Sequence, residues 1–293
     1  MLQQNTPGFS PIGKIRIILD SIRFEHTVFA LPFAYVGMVL AANGLPTVHQ
    51  FVWITLAMAS ARTLAMSSNR IIDRHIDLKN PRTSARPIPA GKIKVWEMNT
   101  VAVISAAVLM VTAAQLNTLA LYLAPVAAIV VVGYSYTKRF TWTSHFVLGF
   151  ADGIAPAGAW IGVTGQLSWE AVLMAFAVTT WIGGFDMLYA CQDRDFDIEN
   201  GLHSIPQRFG IVAALNCAKG MHLLTSVSLL GLGLWLSLTW PYYIGWLLAS
   251  ALLVYEHSLV SAHDLSKLNM AFFNVNGYIA VIVFSFTLIS VFV

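Results

Sequence analysis

Two short segments carry most of the chain's reactive side chains: NRIIDRHID at Asn69 to Asp77, and DMLYACQDRDFD at Asp186 to Asp197. They hold six of the fourteen carboxylates in a chain that is only 11% charged, so solubility does not account for them. On an α-helix, positions i, i+4 and i+8 drift by about 40° per step. Asn69, Asp73 and Asp77 therefore form one polar stripe, and Asp186, Asp193 and Asp197, spaced by seven and four, also share a face. Converging carboxylates repel in a low-dielectric site unless a cation joins them. Mg²⁺ suits such a set, because it takes one or two carboxylates and completes its octahedron with water and diphosphate oxygens. These six residues are the candidate metal ligands.

Cationic side chains follow at matching distances. Arg82 and Arg86 lie nine and thirteen residues after Asp73, and Lys138 lies one helical turn after Tyr134. Guanidinium forks and an ammonium are what a diphosphate needs. Arg62 is seven residues before Asn69, on the same helical face and inside an apolar run. An intramembrane arginine is a functional candidate, here for an acceptor carboxylate or for the diphosphate. A single Asp or Arg at a membrane helix end is ordinarily a solvated charge, so the argument rests on the two complete cassettes together. His75 sits two positions from each acid of its cassette and points away, while Asp195 and Glu199 are expected in solvent. Asp152, about 12 Å along its helix from Ser144 by helical rise, is open between supporting the site, facing an acceptor, and bonding a neighbouring helix.

The elements that hold these residues are set by composition. With 57% hydrophobic residues and a mean hydropathy of +0.68 over 293 residues, the chain reads as an all-α polytopic membrane protein. Nine apolar stretches are long enough to span a bilayer, near 24–43, 48–68, 96–114, 118–134, 144–163, 169–190, 211–237, 240–257 and 270–292. Cations gather in alternate loops: Lys14, Arg16 and Arg23, then Arg70 through Lys94, Lys138 and Arg139, Arg194, Arg208 and Lys219, and Lys267. The opposite loops (GLPTVHQ, QLNT, VTGQLSWE, SLTWPYY) have no Lys or Arg. That asymmetry predicts a cytoplasmic N-terminus, an external C-terminus and both cassettes on the cytoplasmic face. The first 13 residues lack a basic region followed by a short apolar one, so no cleavable signal is expected.

The motif D-R-x-x-D occurs at Asp73, Arg74, Asp77 and again at Asp193, Arg194, Asp197. With four spans between the copies, this predicts two pseudo-repeated four-helix halves plus a ninth helix in one domain, 1–293. A net charge of +3 is too small to argue for nucleic acid. Cys191 and Cys217 lie in or beside apolar spans and give no support for a disulfide or a zinc site.

N-x-x-x-D-x-x-x-D, D-x-x-Y-A-x-x-D-x-x-x-D and the intervening RTSARPIPAGKI resemble the UbiA-type intramembrane aromatic prenyltransferases, typified by 4-hydroxybenzoate polyprenyltransferase. The run YACQDRDFDIENGLHSIPQRFG is similar to a branch that also includes prenyltransferases of the futalosine route to menaquinone. The resemblance covers the whole chain. It implies nine helices around a central cavity, a lateral opening for a lipid tail, and Mg²⁺ with diphosphate held by Asn69, Asp73, Asp77, Asp186, Asp193 and Asp197. It further implies that Arg82, Arg86, Tyr134 and Lys138 contact diphosphate, that Arg62 faces the acceptor, and that Asp73, Asp193 and Arg62 are catalytic. Asp152 departs from the small and apolar residues usual in its span.

The expected reaction moves a polyprenyl group from its diphosphate to a ring carbon of a hydroxylated aromatic acid within quinone biosynthesis, with a hydroxynaphthoate as the alternative acceptor. A secondary transporter is the rival class, but its charges would lie near the bilayer midplane and these cluster at one face. A heme- or lipid-binding assembly factor would need axial His or Met pairs, which His26, His145 and His222 do not supply in register.

Overall fold

The computed structural model describes residues 11–22 and 27–293, with the side chains of 11, 12, 27–30, 272 and 273 outside the description. Arg23, His26, the opening of the first predicted span and most of the polar N-terminal stretch lie outside the described residues. The elements are all helical: α1 (Pro11–Ser21), α2 (Thr27–Ala42), α3 (Val48–Ile72), α4 (Arg74–Lys79), α5 (Val95–Leu116), α6 (Thr118–Thr137), α7 (Ser144–Thr164), α8 (Trp169–Ala190), α9 (Arg194–Glu199), α10 (Ile205–Phe209), α11 (Ile211–Trp235), α12 (Trp240–Ser258) and α13 (Asn276–Ser290). A π-helical turn, Met270–Val275, leads into α13.

Among the described residues, five helical runs are long and apolar enough to cross a membrane: α5, α6, α7, α11 and the run that begins with α8. The other four predicted spans coincide with helices that fall short of that measure. The described part of α2 and α13 are apolar but short, and α3 carries Arg62 and Arg70. Large apolar side chains face outward around the bundle, with Val103 68%, Ile129 71% and Val254 73% exposed. Such a belt suits lipid.

Local signals fix the helix ends. Thr47 caps α3 by accepting from the Gln50 N–H at 3.2 Å, while the Gln50 side chain accepts from the Thr47 N–H at 2.9 Å, a reciprocal capping box. Asn117 caps α6 through the Ala120 N–H at 2.9 Å and donates its amide to the Ile161 carbonyl at 2.7 Å. That second bond fastens the α5–α6 turn to the end of α7. Phe33, Trp181, Leu232 and Ile279 belong to one core joining α2, α8, α11 and α13, and Leu64, Leu109 and Val131 to another joining α3, α5 and α6.

The closest packing lies between α7 and α8. A Cβ on Gly149 would run into the Thr179 carbonyl, and one on Gly183 would lie 3.1 Å from the His145 carbonyl. Only glycine permits such backbone approach. It brings the first two turns of α7 against the C-terminal half of α8, which carries Asp186.

Candidate functional site

The backbone treats the two cassettes alike. α3 ends at Asp73 (φ −86°, ψ 0°), and the six-residue α4 follows. After α8, one 3₁₀ turn ends at Asp193 (φ −96°, ψ 2°), and the six-residue α9 follows. The expected stripes are therefore not carried on unbroken helices, because each central aspartate sits in the bridge region of backbone space, which active-site residues often occupy. The register still survives at the first cassette, since the Asp77 N–H donates to the Asp73 carbonyl at 2.8 Å.

One cavity of about 260 Å³ is lined by Asn69, Asp73, Asp77, Arg82, Arg86, Tyr134, Lys138, Asp186, Asp193 and Asp197. Residues up to 128 positions apart in sequence thus share one wall. Arg62, the remaining candidate, is not on that wall. By helical rise it lies about 10 Å deeper along α3 than Asn69, and its Nε is buried without a hydrogen-bond partner. His75, Asp195 and Glu199 are exposed, as their spacing implied.

In the first cassette the acids are buried and met by cations. Asp73, 1% exposed, accepts from Lys138 Nζ at 2.6 Å, Arg139 Nη2 at 3.1 Å and Asn69 Nδ2 at 2.9 Å. Arg86 Nη1 donates to both Asp77 oxygens, at 2.8 and 2.9 Å. Arg139 was read from sequence only as a topology charge. Its bonds to the Ser135 and Ile72 carbonyls, both 2.8 Å, make it a brace between α6 and α3.

The second cassette is held differently. Arg82 grips Asp193 with two parallel bonds, Nε to Oδ1 at 3.0 Å and Nη2 to Oδ2 at 2.6 Å, the bidentate geometry of strong guanidinium–carboxylate pairs. Asn80 Nδ2 adds a bond to Oδ1 at 3.1 Å, and the guanidinium lies 5.2 Å from the Tyr189 ring centroid. Burial pulls the Arg82 pKa down, but the hydrogen bonds and charge of Asp193 outweigh it and hold the group above its ordinary value. Asp186 meets His145 Nδ1 at 2.6 Å, and Asp197 accepts from Ser204 Oγ at 2.8 Å. Neither partner was singled out in the sequence for this site. The first-turn position of His145 in α7 and its α7–α8 contact are the signals that reveal it.

Around the cavity five carboxylates face three cations. Among the described residues no three of the His, Cys, Asp and Glu side chains cluster closely enough to hold a metal by themselves. Mg²⁺ asks less of the protein, one or two carboxylates with water and phosphate oxygens, and the surplus of hard oxygen donors fits that mode.

The UbiA prenyltransferase family model matches residues 30–278. A 4-hydroxybenzoate octaprenyltransferase of Photobacterium profundum is 32% identical over 281 residues, covering 95% of this chain and 97% of that protein. One of Cupriavidus metallidurans is 33% identical over 260 residues, covering 87% and 86%. Among solved structures, a UbiA homologue of Aeropyrum pernix K1 in its apo form superposes with a TM-score of 0.83 at 29% identity, covering 90% of this chain and 98% of its own. A homologue of Archaeoglobus fulgidus, bound to GPP and Mg²⁺, shares the fold with a TM-score of 0.69 at 19% identity, covering 94% and 100%.

Proposed function

Because the chain belongs to the UbiA prenyltransferase family, we propose that it transfers a polyprenyl group from polyprenyl diphosphate to a ring carbon of a hydroxylated aromatic acid of the 4-hydroxybenzoate type. The observation that carries this reading is the meeting of both acidic cassettes with Arg82, Arg86, Tyr134 and Lys138 on one cavity. In this reading the chain is one domain of nine membrane helices, in two pseudo-repeated halves and a ninth helix, with its N-terminus and site at the cytoplasmic face of a prokaryotic cell membrane and its product destined for a quinone.

Asn69, Asp73, Asp77, Asp186, Asp193 and Asp197 are the residues that would hold Mg²⁺ and, through it, the diphosphate. Bound there, Mg²⁺ supplies Lewis-acid stabilisation of the charge that builds on the leaving group. Arg82, Arg86 and Lys138 supply fixed positive charge to the same oxygens, exchanging part of their present pairing with Asp193, Asp77 and Asp73 for phosphate oxygens. Tyr134 offers a hydroxyl at the cavity wall. The C1–O bond of the allyl diphosphate breaks with its electron pair going to diphosphate, C1 bonds to a ring carbon beside the phenol, and the ring proton leaves to a site aspartate or to diphosphate. Arg62, deeper in α3 with its Nε lacking a hydrogen-bond partner, is the partner for the acceptor carboxylate, and exclusion of water from the site protects the allyl cation.

The test is transfer by the purified protein in lipid, given labelled polyprenyl diphosphate and a panel of 4-hydroxybenzoate, a hydroxynaphthoate and homogentisate. Prenylated 4-hydroxybenzoate formed with Mg²⁺ and lost on chelation is the expected result. Product with the hydroxynaphthoate alone would move the protein to the menaquinone branch, and no product with any acceptor would overturn the reading.

A further inference from the structure

Three consecutive residues outside both cassettes touch the site at three places. The His203 N–H donates to the Lys138 carbonyl at 2.7 Å. Ser204, 5% exposed, accepts from the Gln207 N–H at 3.3 Å and gives its own proton to Asp197 at 2.8 Å. The Ile205 N–H donates to His145 Nε2 at 3.3 Å. That last bond casts Nε2 as an acceptor, and a nitrogen that accepts carries no proton. The ring proton of neutral His145 then lies on Nδ1, 2.6 Å from Asp186 Oδ2, and the ring is 3% exposed.

We propose that Ser204 and His145 are positioning residues that preset Asp197 and Asp186 for a divalent cation, with the Ile205 N–H fixing His145 in the tautomer that can do so. The inference rests on the reading of those carboxylates as cation ligands. Its physical content is the neutrality of the donors. A hydroxyl and a neutral imidazole orient a carboxylate without cancelling its charge, so the full anion stays available to a metal. Hydrogen-bonded partners of this kind fix ligand orientation, and their loss weakens metal binding by about 10–100-fold. The α10 segment is therefore a clip that shapes the second cassette, and its chemistry differs from the cationic grip on the first.

The experiment measures Mn²⁺ binding by electron paramagnetic resonance with inorganic pyrophosphate present, on the full-length protein in lipid nanodiscs. Michaelis constants for prenyl diphosphate and for the acceptor are measured in parallel. His145→Phe keeps ring volume and removes both bonds. His145→Asn offers an amide N–H close to where Nδ1 stands, and His145→Gln offers an oxygen close to Nε2. We expect His145→Phe to weaken Mn²⁺ by about tenfold or more, His145→Asn to recover most of that loss, His145→Gln to recover little, and Ser204→Ala to lose less than His145→Phe, with the acceptor constant unmoved in all four. Unchanged Mn²⁺ affinity in His145→Phe and Ser204→Ala overturns the inference, as do equal losses in the Asn and Gln variants. Should His145→Phe fail to fold, the Asn and Gln pair still decides. If Asp186→Asn also leaves Mn²⁺ binding intact, the reading of the carboxylates themselves fails, a separate outcome from failure of the clip alone.

Discussion

The two D-R-x-x-D cassettes share a backbone and differ in electrostatics. Each places its first aspartate near φ −90°, ψ 0° and then runs into a six-residue helix. Asp73 and Asp77 are buried and neutralised by Lys138, Arg139 and Arg86. Of the cavity-wall acids in the second cassette, Asp193 meets a cation, Arg82, which comes from the loop after the first cassette. Asp186 and Asp197 meet an imidazole and a hydroxyl instead. One half is thus a charge-balanced anchor, while the other keeps anionic charge to offer. Equal sequence motifs have been put to unequal work by the residues around them.

The strongest way to break that comparison is to remove the central acids. Asp73→Ala and Asp193→Ala should each lower prenyl transfer by about 100-fold or more, since each deletes a charge from the diphosphate and metal cradle. Their stabilities should part. Asp73→Ala strips two cations, each about one-third exposed (33% and 31%), of the almost fully buried partner they share, which costs about 2 kcal/mol. Asp193→Ala releases an arginine that is about one-third exposed (34%), a cost under about 1 kcal/mol. Thermal unfolding in detergent beside the transfer assay separates the two, and equal losses of stability would erase the distinction between anchor and offering half.

A smaller effect sharpens it. Arg82 uses two nitrogens on the two oxygens of Asp193, whereas Arg86 brings one nitrogen to both oxygens of Asp77. A lysine can imitate the second arrangement and not the first. Arg82→Lys should lower kcat/KM for prenyl diphosphate by about tenfold, a loss of roughly 1.4 kcal/mol, and Arg86→Lys by about threefold or less. The reverse order would mean that the Arg82 fork is not what joins the halves.

Much of this site was legible because charge is rare in an apolar chain and is kept there for a reason. The four-residue spacing from Asn69 to Asp77 and the D-R-x-x-D repeat named the acids, and all ten cavity-wall candidates do meet. The breaks at Asp73 and Asp193 could not be read, because no Gly or Pro marks either position and the turns depend on tertiary partners. Arg82 to Asp193 crosses 111 residues and His145 to Asp186 crosses 41, separations over which spacing says nothing. Arg62 stands apart from these ten, about 10 Å deeper along α3 than Asn69 by helical rise and off the cavity wall. Apolarity alone is likewise an incomplete guide to span number, since α3 mixes an apolar run with Arg62 and Arg70.

The gentlest probe uses the one position inside the motif where the copies differ in charge. His75 in the first and Asp195 in the second stand two residues after the central aspartate, and both are exposed. Asp195 is 87% exposed at its side chain, with Arg194 at 3.1 Å, and an ion pair so open to water contributes little. Asp195→His therefore gives the second cassette the first one's D-R-H-x-D pattern while leaving every cavity contact in place. Transfer should stay within about twofold, and stability within about 0.5 kcal/mol, by the same assays. A larger loss would show that the surplus charge of the second half extends beyond the acids on the cavity wall, and that the contrast between the cassettes is drawn by the whole loop.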